Sequence, residues 1–395
     1  MTKRERKSKF CNDCGLPNTY HFQTWTDSVI EATLPSFLPK GFEKMVGSLV
    51  ERFLSWLRIV KFEKKFDVDE LPLKSYVFIQ EAMKEGLGIE AQKGPYGYTG
   101  NFRLTLPTGR QAAKAGLKNG KGIFFRSLPL TNTSKINVDD KNQVKKILKK
   151  NGFPYTEGKS FWFFQKGAAL RFAKKTGFPL VVKPRSGSVA CHVTTDINSI
   201  NELKKSIKKA GQYSSRFIVE KYMPDSWVYR ATVVGNQIFC VKQVPANVIG
   251  DGASTLEQLI AEKNADPKRG ISTKTDRLYH DIRHSLNPKM VPGKNEVVYL
   301  QKDPFMKLGG ELEEVTEKVH PENIKLFRDI AKHFRLKLVG IDFIAKDIAV
   351  SWRDQPCAVL ELNSLPCIEL HHFPTKGIPK NVARALLKEM LESYK

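Results

Sequence analysis

The sequence predicts an α+β protein of more than one domain, on three observations. Amphipathic helical patterns alternate with short apolar runs bounded by Gly, Pro, Asn and Asp from about residue 71 to the C-terminus. The 395 residues, 41% of them hydrophobic, suffice for two or three domains with real cores. No linker rich in Pro, Gly and Ser interrupts the chain after about residue 70, so this part is expected to pack as one body.

Residues 1–70 form a basic N-terminal extension. Within it "MVGSLVERFLSWLRIV" has apolar residues at helical spacing, with Glu51, Arg52 and Arg58 off that face. It reads as a helix packed on the main body, with a membrane-surface helix as the alternative. Residues 71–136 read as a small α/β domain. Its pieces are the helix "LKSYVFIQEAMKEG", ended by Gly86, the strand "LGIEAQ", a turn and hairpin in "GPYGYTGNFRLTLPTGR", and a strand in "KGIFFRSLPL".

Residues 137–395 carry the rest. Asp139 or Asp140 caps a helix running to Lys150, closed by Asn151-Gly152. "QKGAALRFAKKTG" is a second helix, "FPLVVKPRSG" a strand with a basic exit loop, and "RFIVEKYMP" a strand. "YRATVVGNQIFCVKQVP" is a hairpin turning at Gly235-Asn236. A glycine-rich turn then leads to a helix capped by Ser254 or Thr255. "HPENIKLFRDIAKHFR" is a helix, and "LKLVGIDFIAKDIAV" and "CAVLELNS" are adjacent strands.

Composition narrows the function classes. No apolar run spans a bilayer. The basic N-terminus leads into "CNDCGLPN" rather than an apolar segment of secretory type. Six scattered cysteines read as a reduced chain, so a cytoplasmic location is expected. The net charge of +24 favours an anionic partner, nucleic acid among them, or it reflects the solvated faces of Lys-rich helices such as "KNQVKKILKK" and "NELKKSIKKA". Cys11, Cys14 and His21 offer three metal ligands where a structural zinc site takes four, so no Zn2+ is expected at Cys11/Cys14.

One stretch poses a chemical question. In "VLELNSLPCIELHH", Glu361 and Asn363 lie two residues apart in an apolar run, on one face of a strand. A buried carboxylate needs a partner. Asp342, in the neighbouring strand "VGIDFI", offers a third oxygen donor. Oxygen donors suit Mg2+ rather than a soft metal. Lys141 opens a helix and Lys183 ends a strand, both ahead of this set. Carboxylate-held Mg2+ facing phosphates held by lysines is a recurring arrangement for phosphoryl transfer from ATP.

In the order of these pieces the chain resembles the ATP-grasp superfamily, and within it the ATP-grasp part of cyanophycin synthetase. The resemblance covers about residues 137–380 and rests on "VDDKNQVKKILKKNGFPYTEG", "FPLVVKP", "FIVEKYMP", "YRATVVG", "VPANVIGDGASTLEQLIAEKNADPKRG", "VTEKVHPEN", "VGIDFI", "LELNSLP" and "HHFPTKGIPKNVA". The Mur-ligase-like second half of that enzyme lies outside this sequence. The resemblance implies two α+β lobes clamping ATP, the smaller nucleotide-binding lobe at about 175–225. It implies that Lys141 and Lys183 hold phosphates, helped by Gly187 and Ser188, and that Glu220 meets the adenine amino group. The backbone of Lys221 and Met223 would read the adenine edge. Arg230 would face an acyl phosphate or substrate, Lys183 and Arg230 would be catalytic, and Asp342, Glu361 and Asn363 would bind Mg2+, with Mn2+ as its substitute. The activity implied is an ATP-dependent carboxylate–amine ligase. The basic balance and the domain at 71–136 favour an acidic, anionic or macromolecular substrate, and a homo-oligomer is expected. A nucleic-acid- or membrane-associated binding protein and an ATP-grasp kinase are the alternatives.

The sequence also departs from its relatives. The loop after Lys183, "PRSGSVACHV", retains only Gly187 where relatives carry several glycines. His192 ends it as a substrate contact or a structural histidine. Cys367, His371 and His372 follow the Glu361 strand; Cys367 is expected as a small buried residue, and the histidines as substrate-orienting or packing groups.

Overall fold

The computed structural model describes residues 21, 25, 26, 29, 60–95, 97–105, 123–125, 136, 138, 140–185, 192–265, 286–304, 306 and 309–392. The amphipathic segment 45–59 lies outside these residues. The chain divides into two compact units. One comprises Met1–Leu38, Asn137–Ser226 and Pro356–Glu361; the other comprises Pro39–Ile136, Trp227–Gln355 and Leu362–Lys395.

In chain order the strands are β1 (Lys61–Glu63), β2 (Gly88–Gly94), β3 (Gly97–Thr105), β4 (Ile123–Phe125), β5 (Gly158–Trp162), β6 (Leu180–Pro184), β7 (Thr194–Ile197) and β8 (Arg216–Lys221). They continue as β9 (Trp227–Val234), β10 (Gln237–Val244), β11 (Asn247–Ile249), β12 (Val297–Tyr299), β13 (Glu311–Glu314), β14 (Leu338–Ala345) and β15 (Cys357–Asn363).

The first unit is built on an antiparallel sheet of order β5-β8-β6-β7. Helices Lys166–Thr176 and Ile200–Gly211 bury Ala169, Ala173, Leu203 and Ile207 against Leu180, Val182, Phe217 and Val219 of that sheet. Ser199 caps the second of these helices by accepting from the Glu202 amide. Helix Lys141–Lys150 starts at Asp140, whose Oδ1 accepts from the Asn142 and Gln143 amides at 2.9 and 3.2 Å. Gly152 closes it at φ 70°, a conformation that favours glycine. The Val359 amide donates to the Pro154 carbonyl at 3.1 Å, which ties the start of β15 to this unit.

The second unit holds a sheet of order β1-β2-β3-β4, so pairing begins ahead of residue 71, at Lys61. Helix Leu73–Lys84 packs on it. Its core continues without a break into Val234, Leu338, Ile368 and the helix Val382–Glu392. The main sheet of this unit has the order β13-β10-β9-β14, with the end of β15, Leu362 and Asn363, at the β14 edge. Strands β9 and β10 form the expected hairpin, turned at Gly235 with φ 56°. Helix Pro321–His333 buries Leu326, Phe327 and Ile330. Thr255 caps helix Leu256–Ala265, accepting from the Gln258 amide, while Ser254 bonds to Asp251.

The Phe217 ring is fully buried and stacks on Phe161 at 5.7 Å. Phe217→Ala is expected to cost about 3–5 kcal/mol of stability in urea unfolding. Lys205→Ala, on the solvated face of its helix, is expected to stay within about 0.5 kcal/mol of wild type.

Candidate active site

In the first unit the chemistry centres on Glu220. Register places Val181 opposite Glu220 and Lys183 opposite Ile218, so Lys183 and Glu220 are diagonal neighbours on one face. The Lys183 ammonium is 2.9 Å from Glu220 Oε1. Lys145, from helix Lys141–Lys150, meets the same oxygen, and Thr156 Oγ1 donates to the other at 3.1 Å. All of these groups are buried, Glu220 at 2% exposure. Gly158 stands opposite Glu220 on β5, and a Cβ there would lie 2.7 Å from Glu220 Cγ. The missing side chain therefore makes room for the carboxylate.

Burial works to raise the Glu220 pKa, but the charges of Lys183 and Lys145 outweigh it and hold the carboxyl at about 2. Burial pushes Lys145 down to about 8, although Glu220 pulls the other way. Two ammonium groups thus share one carboxylate away from water. Lys145 is absent from the residues picked by motif, yet it lies four residues after Lys141 on the inward face of the same helix, a spacing that could have found it.

Lys141 pairs with Glu361 at 3.3 Å within this unit. Arg185, just past β6, donates to Asp140 Oδ2 at 2.7 Å and so ties the exit of that strand to the helix start. Lys221 directs its ammonium to the carbonyls of Gly177 and Phe178 at 3.2 and 3.0 Å, and its amide to the Glu157 carbonyl at 2.9 Å. Met223 is half-buried past the end of β8. Gly187 and Ser188 lie outside the described residues, as do Cys11 and Cys14.

In the second unit Asp342 on β14 stands directly opposite Arg230 on β9. The guanidinium donates from Nε to Oδ1 at 2.5 Å and from Nη2 to Oδ2 at 2.9 Å, a two-pronged pair. Asn363 Nδ2 donates to the same Oδ2 at 3.3 Å. The structure therefore brings Arg230, Asp342 and Asn363 together, while Glu361 shares the face of β15 with Asn363 two residues on. Asp342 and Asn363 offer a carboxylate and a carboxamide, hard oxygen donors of the kind that suits Mg2+. Among the described residues no group of three or more His, Cys, Asp and Glu side chains is gathered around one metal position.

The C-terminal histidines are packed. His371 is fully buried with Nε2 2.8 Å from Thr232 Oγ1, and His372 Nε2 accepts from the Ala383 amide at 3.1 Å, holding the start of helix Val382–Glu392. Burial lowers both pKa values, His372 to about 4. Cys367, expected to be buried, is exposed. Cys240 and Cys357 have their thiols pushed up by burial, Cys357 to about 11, so neither is poised as a thiolate nucleophile.

No protein-family model matches the chain. Cyanophycin synthetase from Trichormus variabilis is 31% identical over 299 residues, which is 71% of this chain and 33% of that protein. The glutathione biosynthesis bifunctional protein GshAB from Clostridium perfringens is 25% identical over 378 residues, 91% of this chain and 46% of that protein. Among solved structures, a bifunctional glutathione synthetase from Pasteurella multocida matches with a TM-score of 0.56 and 21% identity, over 82% of this chain and 44% of that one. The chain spans 33% of the length of the first of these relatives. The fold is the ATP-grasp fold. The chain is an ATP-grasp protein whose sequence is similar to cyanophycin synthetase.

Glu220→Gln removes the carboxylate charge that both buried lysines pair with. It is expected to destabilise the protein by about 3–5 kcal/mol in urea unfolding, against about 1 kcal/mol for Thr156→Val.

Proposed function

We propose that the chain is an ATP-dependent carboxylate–amine ligase that forms an amide or peptide-like bond through an acyl phosphate. The observation that carries this reading is the Lys145–Glu220–Lys183 cluster, in which two buried cations face a single carboxylate. Such a cluster keeps net positive charge out of water, which suits a polyphosphate. Similarity to cyanophycin synthetase and GshAB supports the amide-forming class.

In this reading Lys141, Lys145 and Lys183 hold the phosphates of ATP, and Glu220 keeps the two buried ammonium groups aimed. Lys221 and Met223 present backbone to the adenine. Asp342, Glu361 and Asn363 would hold Mg2+, which when bound neutralises phosphate charge. Arg230 orients the Asp342 carboxylate by its two-pronged pair and faces the substrate side. A substrate carboxylate oxygen attacks the γ-phosphorus and ADP leaves. An amine then attacks the acyl carbon, phosphate leaves, and the nitrogen gives up a proton. No side-chain nucleophile takes part, in accord with the protonated state of Cys240 and Cys357. The chain's work is positioning, charge neutralisation and exclusion of water.

Incubation with Mg2+, ATP and paired acidic and amine substrates is expected to release ADP and phosphate, with a product mass equal to acid plus amine less water. Release of AMP and pyrophosphate would refute the acyl-phosphate route. Glu361→Gln is expected to cut turnover on the order of a hundredfold or more, with an unchanged unfolding midpoint.

Lys145 adds a pH dependence. Its charged form holds phosphate, and burial has brought its pKa to about 8, so nucleotide affinity is expected to fall as pH rises through about 8. For stability the sign is opposite. Its folded pKa, about 8, lies below the ordinary 10.5, so the cost of burying the ammonium is full below about 8 and is relieved as pH rises toward 10.5. Calorimetric titration with ADP on both sides of this pH, on wild type and Lys145→Met, checks the first statement. The variant is expected to bind more weakly and to lose most of the dependence.

A further inference from the structure

A second group of charges lies on the same sheet face as the Glu220 cluster. Alternate residues of a strand share a face. Ser160 and Trp162 of β5, Arg216 and Glu220 of β8, and Lys183 and Arg185 along β6 and its exit therefore point to one side. Their neighbours Phe161, Val182 and Phe217 pack in the core on the other face. Register puts Gly158 opposite Glu220 at one end of β5 and Trp162 opposite Arg216 at the other. The Arg185 amide donates to the Arg216 carbonyl at 3.0 Å, which carries the ladder one residue past β6.

Three observations set this end apart from ordinary surface charge. The Arg216 guanidinium sits over the Trp162 ring, 3.8 Å from its centroid, a contact that restrains the side chain. Arg185 Nη2 donates to Asp140 Oδ2 at 2.7 Å, and burial and the Arg185 charge lower the Arg216 pKa while Asp140 draws it up. Two guanidiniums thus gather by one carboxylate, as two ammonium groups do by Glu220. Ser160 Oγ is buried on this face, opposite Ile218 and between the two ends, with no hydrogen-bond partner among the described residues. A buried hydroxyl left unpaired is costly. Packing explains the stack on Trp162, but it does not explain why like charges are brought together beside an unsatisfied hydroxyl.

We propose that Arg185 and Arg216 form a second anion subsite, which binds the terminal phosphate of ATP beyond the lysines that hold the inner phosphates. This inference rests on the ligase reading above and deepens it. The direction follows from β8. Lys221, its last residue, presents backbone to the adenine in that reading; Lys183 lies opposite Ile218 at mid-strand, and Arg216 is the first residue. A nucleotide with its base at Lys221 and its inner phosphates at Lys183 points its far end toward Arg216. The planar guanidinium fork gives paired N–H donors to phosphate oxygens, where an ammonium acts as a point charge. Residues 186–192, which follow Arg185, include one glycine, so the sequence offers few positions where backbone can approach a phosphate without a side chain in the way. Side-chain donors at the root of that segment supply the contacts instead.

Calorimetric titration of the purified full-length chain with Mg2+ and either ADP or the β,γ-imido analogue of ATP tests the subsite. Arg185→Gln and Arg216→Gln are each expected to weaken binding of the analogue about tenfold or more and to leave ADP within about twofold of wild type. Arg216→Lys, which keeps the charge and loses the fork, is expected to fall between. Equal losses for both nucleotides, or no loss for either, overturn the subsite and leave the ligase reading standing. A wild type that binds neither nucleotide overturns that reading and the subsite with it. Should the variants fail to fold, arginine modification of the wild type by phenylglyoxal, mapped by peptide mass, decides the matter. Protection of Arg185 and Arg216 by the analogue and not by ADP supports the subsite; equal protection by both, or none, overturns it.

Discussion

The arrangement around Glu220 constrains the first unit more than any other interaction. Three elements contribute to it: β6 brings Lys183, helix Lys141–Lys150 brings Lys145, and β8 brings the carboxylate. Moving ions out of water costs several kcal/mol each, and a carboxylate recovers that cost only with good geometry. Here one carboxylate serves two cations, so the local charge is unbalanced by design of the fold rather than by chance exposure. A core built for stability alone would place apolar groups there. In the proposed function this unbalanced cluster is a preorganised anion cradle, with its lysines desolvated and aimed ahead of phosphate binding. The absent side chain at Gly158 and the hydroxyl of Thr156 serve the same end, since each shapes the space around one carboxylate.

The second unit holds its charges by a different device. Arg230 and Asp342 face each other directly across β9 and β14, so strand register alone creates their pairing. A slip of one residue would send both side chains to opposite faces. The surroundings are tight: a Cβ at Gly340 would lie 2.9 Å from Pro366 Cβ and 3.2 Å from Arg230 Nη1. Glycine is thus needed beside the guanidinium for steric reasons, although its φ is ordinary. Asn363 joins from the end of β15. The opening puzzle of a polar pair in an apolar strand has a partial answer in these contacts. Asn363 is hydrogen-bonded to Asp342, and Glu361 is paired with Lys141, each satisfied by a different unit's side chains.

How much of this was legible in the sequence follows from the range of each interaction. The Asp140 cap, the helix closed at Gly152, the Gly235 hairpin and the apolar strands β6, β8 and β14 are local patterns, and each is found where its residues predict it. Strands β5, β7 and β13 carry mixed polarity and give no clean alternation; two of them are sheet edges in the first unit, where one side needs no burial partner. The residue types of the site were readable, but their partners were not. The family resemblance marks Glu220 as an adenine contact; nothing in the sequence says that Lys145 meets its carboxylate. His21 and His192 illustrate the limit most clearly, because no pattern within either segment reveals that the two rings meet.

The charge of +24 separates into two kinds once burial is known. Lys145 and Lys183 are buried, and Lys141 and Arg230 are partly so, each against a carboxylate. Lys146, Lys149, Lys150, Lys204, Lys205 and Lys208 stand on exposed helix faces. Exposed charges act through solvent and are screened within about a Debye length, roughly 8 Å at physiological salt. They can raise the local concentration of an anion and speed its approach, but they add little to its grip. Buried charges do the reverse, since they feel low dielectric and hold what has already arrived. A basic surface and a basic interior are therefore distinct features of this chain, and the proposed function draws on the interior one, whose geometry is fixed by its carboxylate partners.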